Sequence, residues 1–222
     1  GNGEDLPETT WMQKLAAELK HSETAFIKRI SEKEFQICYF TPDGEVELCG
    51  HATIAAFTVL REEGIITPGI YQILTLAGKL EIEVSGNAVW MDMADPKELK
   101  IFSEEEAAEL YRAYGLTADD GLAVMKPKII STGLCDILLP VSGQEALERA
   151  DQNESEVIRL SGKYGVVGVH LFWPSLKPGE TAHCRNFAPL YAIPEEAATG
   201  TSNGALTYYL YQYGLIQTDV EN

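Results

Sequence analysis

One stretch of this chain is written twice, 150 residues apart. Glu45 to Ile66 contains an acidic residue, a turn glycine before a helix, and a closing glycine; Glu195 to Ile216 repeats the order without a gap. Glu195 falls on Glu45, Gly200 on Gly50, Ala205 on Ala55, Leu210 on Leu60, Gly214 on Gly64 and Ile216 on Ile66. Solenoid repeats run about 20–50 residues, so a period this long predicts a duplicated domain instead. The repeat suggests two related halves, residues 1–98 and 99–222. A site is expected in the cleft between them. The plainer alternative is chance, since glycine-led helices are common.

The residues between the copies alternate in ways that predict strands. Leu80, Ile82 and Val84 alternate with Glu81, Glu83 and Ser85, a period of two that buries one face. Strands are also expected at 24–27, 35–40, 71–76, 88–93, 129–131, 137–140, 166–172 and 182–187. A helix capped by Thr9 or Thr10 should carry Trp11, Met12, Leu15, Ala16 and Leu19 on one face. Ser103 and Glu106 have capping-box spacing at another helix start. Helices are expected near 51–63, 145–150 and 155–163 as well, and the crossover between halves near Asp95 to Phe102.

Composition narrows the function. A net charge of −17 disfavours nucleic acid and anionic membrane surfaces as partners. The four cysteines, Cys38, Cys49, Cys135 and Cys184, form no CxxC pair, so their spacing predicts no zinc site. Scattered cysteines in a chain of this size predict a reduced, cytoplasmic protein. There is no run of 18 apolar residues and no signal-peptide pattern at the start, so no membrane span is expected.

The two helix openings carry the candidate chemistry. A glycine at a helix start lets a ligand reach unpaired first-turn amides, where the helix dipole favours an anion. Cys49-Gly50-His51 and Thr199-Gly200-Thr201 are two such nests, suited to a carboxylate; read plainly, they are ordinary caps. His51 could move a proton near neutral pH or donate to substrate. Cys49 could be a thiol base at the helix start, but the repeat places Thr199 opposite it, which favours a small buried residue. Glu23, where a helix gives way to a strand, could have a burial-raised pKa, yet chemistry alone does not separate it from the other 33 acids of the 34 present.

Four segments, in order along the chain, resemble the PhzF-like phenazine-biosynthesis family, whose fold is similar to that of diaminopimelate epimerase. They are His21-Ser22-Glu23-Thr24-Ala25-Phe26, Glu45 through Thr53, Arg185-Asn186-Phe187-Ala188-Pro189, and Glu195 through Leu206. The resemblance implies an α+β fold of two pseudo-symmetric halves, each a curled, mostly antiparallel sheet around a central helix, and a cofactor-independent isomerase of a small carboxylated metabolite, without metal, acting as a homodimer. It implies that Glu23 is the acid/base residue; in the phenazine enzyme that glutamate moves a proton between two carbons of a dihydro-hydroxyanthranilate. Ser22, Gly50 and His51 resemble part of the substrate-holding set, and Glu196, Gly200 and Thr201 its mirror.

The chain departs from the family at several points. Glu196 stands where the family usually has aspartate, and Thr201 where it usually has serine. Family members also begin with a strand and Gly-Asn-Pro, and carry strands after the second central helix, so both ends of this chain read as incomplete. Two alternatives to the isomerase remain: an amino-acid epimerase, disfavoured by Thr199 in place of a second thiol, and a binding protein that kept the fold without the chemistry.

Overall fold

A computed structural model describes residues 5–175, 177, 179–196 and 199–217. The expectations for Gly1 to Glu4, for Ala197 and Ala198 within the second copy of the repeat, and for the chain end after 217 lie outside the described residues. The chain divides into two compact units, Gly1–Met93 and Ala94–Asn222.

The first unit is built on one sheet of β1 (Thr24–Arg29), β2 (Glu34–Phe40), β3 (Glu45–Val46), β4 (Gly69–Thr75), β5 (Gly78–Ser85) and β6 (Ala88–Met91). Its order is β1-β2-β4-β5-β6, with β3 beside β2. The β2–β4 pair is parallel and every other pair antiparallel. The parallel pair needs a crossover, and α2 (Gly50–Glu62) supplies it. This helix packs against both β1 and β6, the two ends of the sheet path, so the sheet curls around it.

The alternation read from sequence is what fills that curl. Phe35, Ile37 and Tyr39 of β2, and Ile82 and Val84 of β5, face a core with Phe57 of α2 and Tyr71 of β4. Burying each such side chain contributes on the order of 1.5–3 kcal/mol. The helix before the sheet, α1 (Thr9–Leu19), starts at Thr9 with Glu8 as its cap and no side-chain cap bond. It buries only Met12 and Ala16 of its apolar positions; Trp11 and Leu19 remain exposed.

The second unit has one sheet in the order β12-β11-β10-β9-β8-β7. Its strands are β7 (Lys97–Ile101), β8 (Lys128–Ser131), β9 (Cys135–Pro140), β10 (Gly168–Pro174), β11 (Ala182–Ala188) and β12 (Ile193–Glu196). Only β9–β10 is parallel. Residues 94–98, which the sequence places in the first half, belong to this unit, and β7 is already an edge strand of its sheet. Lys97, Glu98 and Lys100 hide the strand pattern of β7, because an edge strand carries charge that a central strand would not.

Strand β9 is buried on both faces. Ile137 and Leu139 pack with α3 (Glu104–Arg112), α4 (Gln144–Arg149) and α5 (Glu154–Tyr164) through Leu110, Tyr111, Leu147, Val157 and Leu160. Leu138 points the other way, with Ile130 and Phe172, onto Ala205, Leu206 and Tyr209 of α6 (Gly200–Gln212). Two-sided burial explains the continuous apolar run from Ile137 to Leu139. The capping box of Ser103 and Glu106 is present in both directions.

The repeat holds down to individual hydrogen bonds. Helices α2 and α6 are both 13 residues long, starting 150 apart. Their caps, Cys49 and Thr199, are both extended, with φ −137° and −140°. Gly64 and Gly214 both sit at φ 68°, the left-handed conformation that ends a helix at low cost for glycine. The next amides, of Ile65 and Leu215, return to the carbonyls of Leu60 and Leu210 at 2.9 and 3.0 Å. In each unit, too, a short strand pairs antiparallel with the strand before it and leads into the helix.

Candidate active site

In the first unit, Ser22 and Glu23 lie just before β1, and Cys49, Gly50 and His51 open α2. The antiparallel β1–β2 register sets Thr24 opposite Phe40, and β3 pairs with the same end of β2 through Glu45. Strand pairing therefore brings the start of β1 toward the turn into α2. His51 Nε2 lies 3.3 Å from Glu23 Oε2, and the Cys49 Sγ lies 3.6 Å from Nδ1 and 3.7 Å from Nε2 of the same ring.

These groups differ in exposure. The Glu23 side chain is 12% exposed and that of His51 38%. Cys49 is buried. Glu23 Oε2 is a buried oxygen that accepts no well-aligned hydrogen bond.

The electrostatics follow from these contacts. Burial pushes the Glu23 carboxyl up, but polar contacts with His51, Ser22 and Cys49, together with the charge of His51, outweigh it and lower the net pKa below the usual glutamate value. His51 is pushed up to about 10, first by its contact with Cys49 and then by that with Glu23, against the opposing effect of burial. At neutral pH the pair is a carboxylate beside an imidazolium.

The helix start is held from beneath. Thr53 Oγ1 donates to the Cys49 carbonyl at 2.7 Å and meets the Tyr39 hydroxyl at 2.5 Å. Thr53 and Tyr39 are fully buried, and burial moves the Tyr39 hydroxyl up to about 12. Neither residue carries a role readable from sequence alone. Tyr39 is an aromatic on a strand with no other mark, and its partner is known only once β2 packs on α2. Cys49 makes no side-chain cap bond, and the first turn of α2 contains no acidic residue. A Cβ on Gly50 would make only ordinary contact, 3.5 Å from Met91 Cε.

The mirrored residues lie in the second unit. Glu196 ends β12 opposite Asn186 of β11, and Gly200 and Thr201 open α6. Here the cap is used: Thr199 Oγ1 accepts from the Ser202 amide and donates to Ser202 Oγ at 3.0 Å, and Ser202 Oγ donates to Asp136 Oδ2 at 2.8 Å. Asp136 is buried, and its carboxyl rises to about 6 because desolvation outweighs its hydrogen bonds with Ser202 and Gly168. Nearby on β10, His170 Nδ1 meets Asn186 Oδ1 at 3.1 Å, and desolvation lowers this histidine to about 4. Neither Asp136 nor His170 was singled out from sequence; each is one polar residue in an apolar strand. Thr132 Oγ1 donates to the Thr201 carbonyl, tying β8 to the α6 start. A Cβ on Gly200 would meet nothing within 4 Å, so no neighbouring side chain demands glycine there.

Arg185, carried by the third resembling segment, has a structural task. It pairs with both oxygens of Glu195 at 2.8 and 2.9 Å, and caps the Leu147 and Ala150 carbonyls at the end of α4.

Among the described residues no helix is long and apolar enough to cross a membrane. An uncharacterised isomerase from Deinococcus radiodurans is 34% identical over 209 residues, 91% of this chain and 67% of the relative. The crystal structure of a phenazine biosynthesis protein of the PhzF family from Bacillus anthracis superposes with a TM-score of 0.81 at 26% identity, covering 92% of this chain and 70% of that one. A predicted epimerase from Pseudomonas aeruginosa shares the fold, with a TM-score of 0.77 at 24% identity over 96% of this chain and 74% of its own. The PhzC-PhzF family, described as phenazine biosynthesis-like protein, matches residues 2–221. The chain belongs to this family of PhzF-like isomerases.

Proposed function

We propose that this protein isomerises a small carboxylated metabolite by proton transfer, with Glu23 as the acid/base residue. The observation that carries the reading is the Glu23 Oε2 atom, buried and without an aligned hydrogen bond, 3.3 Å from His51 Nε2 at the opening of α2. A carboxylate held below its usual pKa is in the form that accepts a proton from carbon. The carbanion this leaves needs preorganised positive charge, which His51 and the uncapped amides at Gly50 and His51 supply. Glu23, now protonated, returns the proton to a different carbon of the same substrate, so no external base is consumed. The polar contact of Ser22 also favours the carboxylate form. Gly200, Thr201 and Glu196 of the second unit are proposed as further substrate contacts. The family resemblance extends the proposal to a homodimer, which sedimentation velocity would test.

A second reading rests on the 3.6 Å approach of the Cys49 thiol to His51. A thiol with an imidazole partner can act as a base on the α-carbon of an amino acid. Against it, the matching position in the second unit is Thr199, so a second thiol is lacking there.

The test is a substrate panel of carboxylated cyclic dienes and amino acids, read by NMR and mass spectrometry, with wild type, Glu23→Gln and Cys49→Ser. Isomerised diene lost only in Glu23→Gln supports the first reading. Epimerised amino acid lost in Cys49→Ser supports the second. Ligand binding without turnover in wild type would overturn both.

A further inference from the structure

We propose that a cavity in the second unit, apart from the α6 opening, binds a free α-amino acid with an aromatic side chain. The cavity holds about 430 Å³, within the range of small-molecule sites. Phe102, Tyr111 and Met125, all buried, form its floor. Phe102 and Tyr111 belong to the core beneath α3, α4 and α5, and Met125 to the core beneath α6, so the cavity opens where the two cores of the unit meet the surface. Two rings and a thioether favour an aromatic occupant.

The walls are fixed by hydrogen bonds. The Phe102 amide donates to the Pro127 carbonyl at 3.0 Å, and the Tyr111 hydroxyl donates to the Pro140 carbonyl at 2.7 Å. Gly121 packs so closely on Tyr111 that a Cβ there would collide with its hydroxyl. The Tyr209 hydroxyl of α6 donates to the Lys126 carbonyl at 2.7 Å. That wall therefore hangs on the last turns of α6, at the other end of the helix from Gly200 and Thr201. Walls already in place lose little freedom when a ligand binds.

The rim selects the ligand. Glu104 at the start of α3, Asp119 in the 3₁₀ turn Ala118–Asp120, and Lys126 line the cavity from its exposed edge. Nearby charges are paired within the chain: Glu106 with Lys100, Asp120 with Arg149, and Lys128 with Glu98. Among the described residues, the side chains of Glu104, Asp119 and Lys126 make no such pair and no hydrogen bond. Two carboxylates and one ammonium around an apolar floor complement a ligand with an ammonium, a carboxylate and an apolar group. A plain acid would face two like charges, and a plain amine would leave Lys126 without a partner.

The probe is L-phenylalanine, titrated into the isotope-labelled whole chain and followed by NMR amide shifts. The expected result is saturable binding, with the shifted amides gathered between Phe102 and Pro127. Phenethylamine, which lacks the carboxylate, and hydrocinnamate, which lacks the amine, should each bind about 2–5-fold more weakly, the worth of an exposed charge pair. Lys126→Ala should bring phenylalanine down to the affinity of phenethylamine and leave phenethylamine unchanged. Glu104→Gln combined with Asp119→Asn should weaken phenylalanine and phenethylamine alike. Ala107→Leu fills the cavity from α3 and should abolish binding while Tm is kept. Glu23→Gln and Cys49→Ser should bind as wild type does, which separates this site from an amino acid held at the α2 opening and from both readings of the reaction. Failure to saturate, shifts gathered elsewhere, or either analogue binding as tightly as phenylalanine would overturn the proposal.

Discussion

At the scale of single residues, one ion pair sets the chemistry. Glu23 is held below the usual glutamate pKa and His51 is raised to about 10. The two shifts have opposite consequences. The stabilisation from the Glu23 carboxylate is lost as pH falls through its depressed folded pKa, and that from the His51 imidazolium as pH rises through about 10. For activity, the expected outcome is a broad plateau in kcat/KM across neutral pH. It should fall on the acid side only below the usual glutamate range, and on the alkaline side only near pH 10. A pH profile with a limb near the ordinary histidine value would contradict the pairing. Chemistry alone could not single out Glu23, since its sequence environment is that of any acid after a helix. The resemblance to a family singled it out, and strand pairing then set it beside His51.

At the scale of elements, the two helix openings differ in a way that the repeat did not reveal. Copy one leaves its cap unused; copy two ties Thr199 through Ser202 to Asp136. Identity at the glycine is therefore not identity in support. Gly200→Ala separates binding from folding: nothing within 4 Å opposes the added Cβ. The variant should keep its Tm or gain a few tenths to about 1 kcal/mol of stability, while substrate affinity falls. A drop in Tm would mean that the glycine serves the fold.

Gly168 is the opposite case. Its Cβ would collide with the Phe187 carbonyl across the β10–β11 pair. Because the obstacle is backbone, Gly168→Ala should destabilise by roughly 1–3 kcal/mol, read by urea denaturation. Two of the strands missed from sequence share one cause. Strands β7 and β12 are edges rich in charge or broken by Pro194, so neither shows the alternation that a buried face imposes.

At the scale of the whole molecule, the duplicated helices and the alternating strands were legible, because period and punctuation record burial directly, while the two-sheet α+β architecture came with the family resemblance. The polar interior of the second unit was not. Asp136 interrupts an apolar run, and nothing local says that Ser202, 66 residues on, will meet it. That pair predicts a pH signature. The Asp136 carboxyl, raised from 3.8 to about 6, binds its proton more tightly in the fold than in the unfolded chain. Its contribution is fully present below about pH 4 and is lost as pH rises through about 6, on the order of 3 kcal/mol. Asp136→Asn should flatten that part of the stability curve, measured by denaturation across pH; an unchanged slope would contradict the burial of an ionisable carboxyl there.

The proposed isomerisation requires Glu23 to move a proton to and from carbon. The most direct measurement is deuterium uptake from deuterated water into substrate, compared between wild type and Glu23→Gln at equal substrate occupancy. The expected result is uptake in wild type that falls about 10²–10⁴-fold in the variant with binding retained. Equal uptake in the two proteins would contradict it and take the reaction away from this carboxylate.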